Sequence, residues 1–180
     1  MFRYFRLFRF LFPYRLISFP SCSVMQIEVV TYQDKFKEDF ARLNFAWIEE
    51  YFSIEEADRK YLLNPREMIL APGGEIFFVL ENGEAKGTCA LLKIDDETFE
   101  LVKMAVDKSS QGKGLANHLM QAAIDWARQQ NAKNIFLESG TKLKTAIKLY
   151  EKFGFKTTQL GAIENSEYSR VDIVMELLLN

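Results

Sequence analysis

The segment Val106-Asp107-Lys108-Ser109-Ser110-Gln111-Gly112-Lys113-Gly114-Leu115-Ala116 decides how this chain folds. Before it runs a β-prone stretch, Thr98–Val106. After it, Leu115, Leu119, Ala123, Trp126 and Ala127 recur at helical spacing. The segment is therefore a turn from a strand into an amphipathic helix. Gly112 and Gly114 let backbone N–H groups converge and let a ligand come close. The helix start adds unpaired donors and the positive end of its dipole. Together these make an anion site suited to a pyrophosphate, with Lys113 as a mobile cation beside it. Two other phosphate loops do not fit. A Walker A loop needs Ser or Thr after Gly112-Lys113, where Gly114 stands, and a dinucleotide fingerprint needs a third glycine where Asn117 stands. Taken alone, the loop is equally readable as a glycine-rich turn with no ligand.

Working outward, the chain alternates between two grammars. Gln26–Thr31 reads as a strand, and Asp34–Tyr51 as a helix through Phe36, Phe40, Leu43, Phe45, Ala46 and Trp47. Ser53 with Glu56 has the spacing of a capping box for a second helix to about Leu63, ended by Asn64-Pro65. Glu75–Leu80 and Ala85–Ile94 form a hairpin across Asn82-Gly83. Downstream of the loop come a strand at Asn134–Leu137, a helix with stripe Leu143, Ala146, Ile147, Tyr150 and Phe153, and strands from Phe155 and over Val171–Leu178. The order is that of a mixed α/β (α+β) domain.

Composition narrows the function classes. The chain has 180 residues and a net charge of −2. Residues 1–24 carry four arginines and no acid, so residues 25–180 hold −2 − 4 = −6. An acidic body lacks the basic face that nucleic-acid binding needs, and it tolerates an amine substrate better. The two cysteines, Cys22 and Cys89, show neither disulfide nor metal spacing, and there is one histidine, His118. A reducing cytoplasm fits, and no metal site is expected. Residues 1–24 hold six of the sixteen phenylalanines. They are too short and too charged to span a membrane. They read as an extension upstream of a start at Met25, as a transit peptide, or as a basic-aromatic surface arm. The folded domain is expected over 25–180.

With these elements placed, the sequence resembles the GNAT acetyltransferase superfamily. Gln111-Gly-Lys-Gly-Leu-Ala116 matches that family's Q/R-x-x-G-x-G/A loop, and Phe99–Val106 resembles the strand before it. Ala146-Ile-Lys-Leu-Tyr-Glu-Lys-Phe-Gly-Phe155 resembles its second signature, A-x-x-L-Y-x-x-x-G-F. The likeness departs at Gly140, where many members have Asn, and Ala116 replaces the last glycine as the pattern permits. The resemblance implies a central, mostly antiparallel sheet that splays after the fourth strand, with helices on both faces. It also implies that acetyl-CoA enters the split. Its pantetheine would pair with backbone near Met104, Ala105 and Val106, and its pyrophosphate with the N–H groups of Gln111, Gly112, Lys113, Gly114, Leu115 and Ala116. The implied activity is direct acetyl transfer to a primary amine of a small molecule, amino acid or peptide. A non-catalytic acyl-CoA-binding module is the alternative, and a peripheral membrane binder acting through residues 1–24 is a third reading. A homodimer paired through the final strand is compatible with this fold.

Such chemistry assigns candidate roles. An attacking amine must be neutral, and a free alkyl amine titrates near ~10.4, so something must take its proton. Glu100, the lone acid of an apolar strand, is the leading base, placed by period-2 alternation on one face with Val102 and Met104. Glu138 is the reserve, and Glu49 and Glu50 could attract a cationic acceptor or simply be solvated. Tyr150, in the second signature, is the candidate donor to the leaving thiolate, against a plain core tyrosine. A backbone N–H near Met104–Val106 is the expected oxyanion donor. Cys89 and Trp126 read as core, His118 as solvent-facing or beside the anion, and Phe77 and Phe78 as core or pocket wall.

Overall fold

The computed structural model describes residues 25–158 and 168–179. The N-terminal arm and Cys22 lie outside the described residues. Strands β1 (Ile27–Thr31), β2 (Glu75–Glu81), β3 (Glu84–Lys93) and β4 (Thr98–Val106) pair antiparallel in turn. β5 (Asn134–Ser139) joins β4 in parallel, and β7 (Ile173–Leu178) and β6 (Lys156–Thr158) follow antiparallel. The sheet order is β1-β2-β3-β4-β5-β7-β6. The parallel contact runs only from Thr98↔Asn134 to Glu100↔Phe136. Past those residues β4 and β5 diverge, so the sheet opens after its fourth strand.

Helices cover both faces because the central strands are apolar on both. Ile76, Phe78 and Leu80 of β2 pack with Phe40, Leu43 and Ile48 of α1 (Lys37–Tyr51) and Leu62 of α2 (Glu56–Leu63). Phe77 and Val79 face the other way, toward Leu119, Ala123 and Ala127 of α3 (Leu115–Gln129) and Tyr150 of α4 (Lys144–Lys152). Phe77 and Phe78 are thus both core, on opposite faces, and each such burial stabilises by about 1.5–3 kcal/mol. Trp126 packs edge-on against Phe77 and Phe99. Asn82 and Gly83 both take positive φ, 53° and 85°, as the tight hairpin turn requires.

Three features differ from the sequence expectation. The capping box of α2 is Glu55 with Asp58, whose Oδ2 accepts from the Glu55 N–H at 3.1 Å, not Ser53 with Glu56. Asp58 is held by distant cations, described below, and that tertiary contact sets the frame. The final strand begins at Ile173 and lies between β5 and β6, so both its edges are occupied. Pairing of two copies through it is therefore blocked over Val174–Glu176, and the sheet edges are β1 and β6.

The third difference is a bulge in β4. Thr88 pairs with Ala105 but Ala90 pairs with Val102, which leaves Lys103 and Met104 opposite Cys89 alone. Lys103 takes φ 53°, in the left-handed region. The extra residue inverts the alternation. Val102 packs on the α1 face, whereas Met104 joins Phe99 and Leu101 on the α3 face. Glu100 therefore shares a face with Val102 and not with Met104, contrary to strict period-2 alternation.

Candidate active site

A cleft of about 800 Å³ opens where β4 and β5 part. Its walls carry Glu100 to Val106 of β4, the loop before α3, Glu138 to Gly140 at the end of β5, and the inner side of α4. The aromatic end of α1 closes it through Trp47, Tyr51 and Phe52.

At one end lies the glycine loop. Asp107 caps the preceding 3₁₀ turn, accepting from the Ser109 N–H at 2.9 Å. Gly112 and Gly114 take φ 78° and 83°. A β-carbon at Gly112 would meet no atom within 4 Å, so the loop is open to the cleft. No backbone N–H from Gln111 to Ala116 donates to a described residue, and the first to do so is Asn117, to the Gly114 carbonyl at 2.9 Å. Six consecutive donors at the start of a 15-residue helix fit a doubly charged pyrophosphate. The exposed Gln111 side chain folds back toward β4, its Nε2 3.3 Å from the Val106 carbonyl.

Lys113 is placed differently from a mobile cation over this loop. Its Nζ donates to Glu81 Oε1 at 2.6 Å, at the end of β2. Ser110 donates to the other oxygen at 2.8 Å. The hydrogen bonds from Lys113 and then Ser110 hold the Glu81 carboxyl below its usual range. The partners are 32 residues apart, a contact no local pattern reveals.

Midway, Met104, Ala105 and Val106 line the cleft along the β4 edge that β5 has left. Tyr150 faces them from α4. Only 9% exposed, it packs against Phe155 with ring centroids 6.0 Å apart. Burial, and next the neighbouring Cys89, push its hydroxyl up to about 12. That hydroxyl donates no hydrogen bond to a described residue. Cys89 is fully buried, its Sγ 3.8 Å from the Leu119 carbonyl, and burial pushes its thiol up, as suits a core residue. Glu100 stands at the last position of β4 paired with β5, and Glu138 lies two residues past the corresponding end on β5. Both carboxylates line the opening. Glu50 is tied to Lys108 at 2.9 Å, and neither it nor Glu49 lines the cleft. His118 is exposed on α3.

The far end holds a cluster that sequence reasoning missed. Asp58, fully buried, accepts from Lys103 Nζ at 2.8 Å and from Arg170 at 2.7 and 2.9 Å. Lys103 also donates to the Tyr168 hydroxyl at 2.7 Å, and the Arg170 guanidinium lies 4.4 Å from the Tyr168 ring centre. Burial works to raise Asp58, but the hydrogen bonds from Arg170 and Lys103 outweigh it and hold its carboxyl below the usual range. Burial pulls Lys103 below its ordinary value. The only local signal was the positively charged residue inside an apolar strand. Gly140 fits the same arrangement, since a β-carbon there would sit 3.2 Å from the Arg170 carbonyl. Among the described residues no group of His, Cys, Asp and Glu could hold a metal ion, and no helix is long and apolar enough to cross a membrane.

Residues 32–155, which contain the loop, the split and Tyr150, match the family model of the acetyltransferase (GNAT) family. The chain belongs to that family. As a GNAT protein it is similar to human N-acetyltransferase 8B, at 32% identity over 95 residues, covering 49% of this chain and 42% of that protein. The chain thus matches less than half the length of that relative. Among solved structures it resembles a GNAT-family acetyltransferase from Staphylococcus aureus, with TM-score 0.78, 22% identity and coverage of 86% and 100%. It also resembles the PaiA N-acetyltransferase of Thermoplasma acidophilum in complex with coenzyme A, with TM-score 0.65, 17% identity and the same coverages. These likenesses establish the GNAT fold.

Proposed function

We propose that this chain is an acetyl-CoA-dependent N-acetyltransferase that acts on a primary amine of a small molecule, amino acid or peptide by direct attack. One observation carries the reading: the Gln111–Ala116 segment, whose main-chain donors have no described partner, opens through Gln111, Gly112, Gly114, Leu115 and Ala116 onto the same cleft as a buried tyrosine and two carboxylates. The coenzyme A bound by the PaiA protein supports the choice of cofactor. When bound, acetyl-CoA supplies the thioester whose carbonyl carbon the amine attacks and whose C–S bond then breaks.

The chain's own groups divide the rest of the work. The N–H groups of Gln111 to Ala116 hold the pyrophosphate. The freed edge at Met104, Ala105 and Val106 orients the pantetheine arm, and a backbone N–H there takes the developing oxyanion. Glu100 accepts the proton of the ammonium, directly or through a water. Tyr150, neutral at any working pH because burial has pushed it to about 12, holds a proton for the leaving sulfur. Trp47, Tyr51, Phe52 and the Tyr168–Arg170 segment shape the acceptor end. The proposed setting is the cytoplasm, for which the buried free thiol of Cys89 is support.

A panel of amines assayed by thiol release tests this. Release above the hydrolytic background with at least one amine is the expected result. Tight coenzyme A binding with no release from any amine would favour the non-catalytic binding module.

A further inference from the structure

Lys144, Lys148 and Lys152 repeat every four residues along α4, so their ammonium groups share one side of the helix. All three line the cleft. None makes an ion pair with a described residue. The one hydrogen bond of the row with a described residue is that of Lys152 Nζ to Asn117 Oδ1, at 2.5 Å. Asn117 Nδ2 in turn donates to the Gly114 carbonyl at 3.1 Å, so the row is linked directly to the amide loop.

Like charges four residues apart on a helix repel. This row therefore works against α4 unless an anion lies against it. The loop, by contrast, has donors but no spare cation, because Lys113 is bound to Glu81. The negative charge that enters the cleft is larger than a pyrophosphate. Coenzyme A also carries a 3′-phosphate on its ribose, a monoester whose second ionisation falls near pH ~6, so it is close to dianionic at neutral pH. A phosphomonoester is suited to compact, mobile ammonium groups.

We propose that Lys144, Lys148 and Lys152 form a subsite for the 3′-phosphate, so that the protein distinguishes coenzyme A from 3′-dephospho-coenzyme A. Lys148 is central, and its two neighbours stand about 5–6 Å away on either side. Through Asn117, Lys152 places the subsite beside the start of α3. The inference rests on the acetyl-CoA reading and deepens it.

The test is calorimetric titration of the full chain with coenzyme A and with 3′-dephospho-coenzyme A. The wild type is compared with the triple variant Lys144→Ala/Lys148→Ala/Lys152→Ala and with single Lys148→Ala. The wild type should bind coenzyme A at least about tenfold tighter, as expected of charge-assisted hydrogen bonds. The triple variant should lose that preference while its affinity for the dephospho form stays within about twofold. The single variant should lose part of it, which keeps the test decisive if the triple variant folds poorly. Equal affinities in the wild type, or a preference that survives the substitutions, would overturn the subsite and leave the cofactor reading standing. Failure of the wild type to bind either compound would bring down the cofactor reading and the subsite with it.

Discussion

At the loop end of the cleft the polar groups on offer are main-chain amides of six consecutive residues, whereas at the far end they are side chains from three separate parts of the chain, paired with one another. Asp58 comes from α2, Lys103 from the β4 bulge and Arg170 from the approach to β7, with Asp58 and Arg170 112 positions apart in the chain. The first end needs only a backbone path, and two positive-φ glycines provide it. The second needs the whole fold, because burying any one of its charges alone would be strongly unfavourable. The two ends should therefore fail in different ways: one by losing ligand, the other by losing stability.

The largest effect is expected at the far end. Asp58→Asn leaves Lys103 without its buried counter-charge and Arg170 with Glu55 alone, and unfolding by urea should show a loss of about 3–5 kcal/mol. Its pH dependence has a definite sign. Because the Asp58 carboxyl is held below its unfolded value, its contribution is complete above the ordinary carboxylate range and disappears as pH falls through the lower folded value. The gap between wild type and variant should thus be level from about pH 5 to 8 and close in strong acid. A loss under about 1 kcal/mol would mean that the cluster is not a buried brace.

Next in size is Gly114→Trp. A side chain there must accept φ 83°, at a cost of about 1–2 kcal/mol, and it fills the space beside the amides. Coenzyme A affinity should fall by about a hundredfold or more, the equivalent of two hydrogen bonds to a charged group, in a protein that still unfolds cooperatively. Near-normal affinity would show that the amides do not hold the cofactor. Tyr150→Phe should reduce turnover about tenfold or more, with coenzyme A affinity little changed. A turnover within about a factor of two of wild type would remove the acid role. The smallest effect is assigned to Lys113→Ala. With its ammonium already on Glu81, coenzyme A affinity should change by less than about threefold. A much larger drop would show that the lysine leaves Glu81 to meet the ligand.

The same contrast explains what could be read in advance. The Gln111–Ala116 loop, the Asn82-Gly83 turn and the apolar stripes of α1, α3 and α4 depend on spacing within one element, and the chain states them directly. The β4 bulge could not be read, because an extra residue in a strand is defined only against its partner. Period-2 alternation accordingly placed Met104 on the wrong face. The α2 cap was displaced by two residues for a related reason. Ser53/Glu56 and Glu55/Asp58 have the same spacing, and only the pull of Lys103 and Arg170 on Asp58 selects between them.

The sequence by itself determined the order of elements, the family likeness and the glycine-bearing turn from strand to helix, since each rests on backbone preferences and periodicity over a few residues. Tertiary structure alone decided which charges are neutralised. It fastened Lys113 to Glu81, buried Asp58 between two cations and left Lys144, Lys148 and Lys152 without a described acid partner. The physical reason is that a side chain's charge acts through space on whatever the fold brings near it, whereas a main-chain amide at a helix start is oriented by its immediate neighbours.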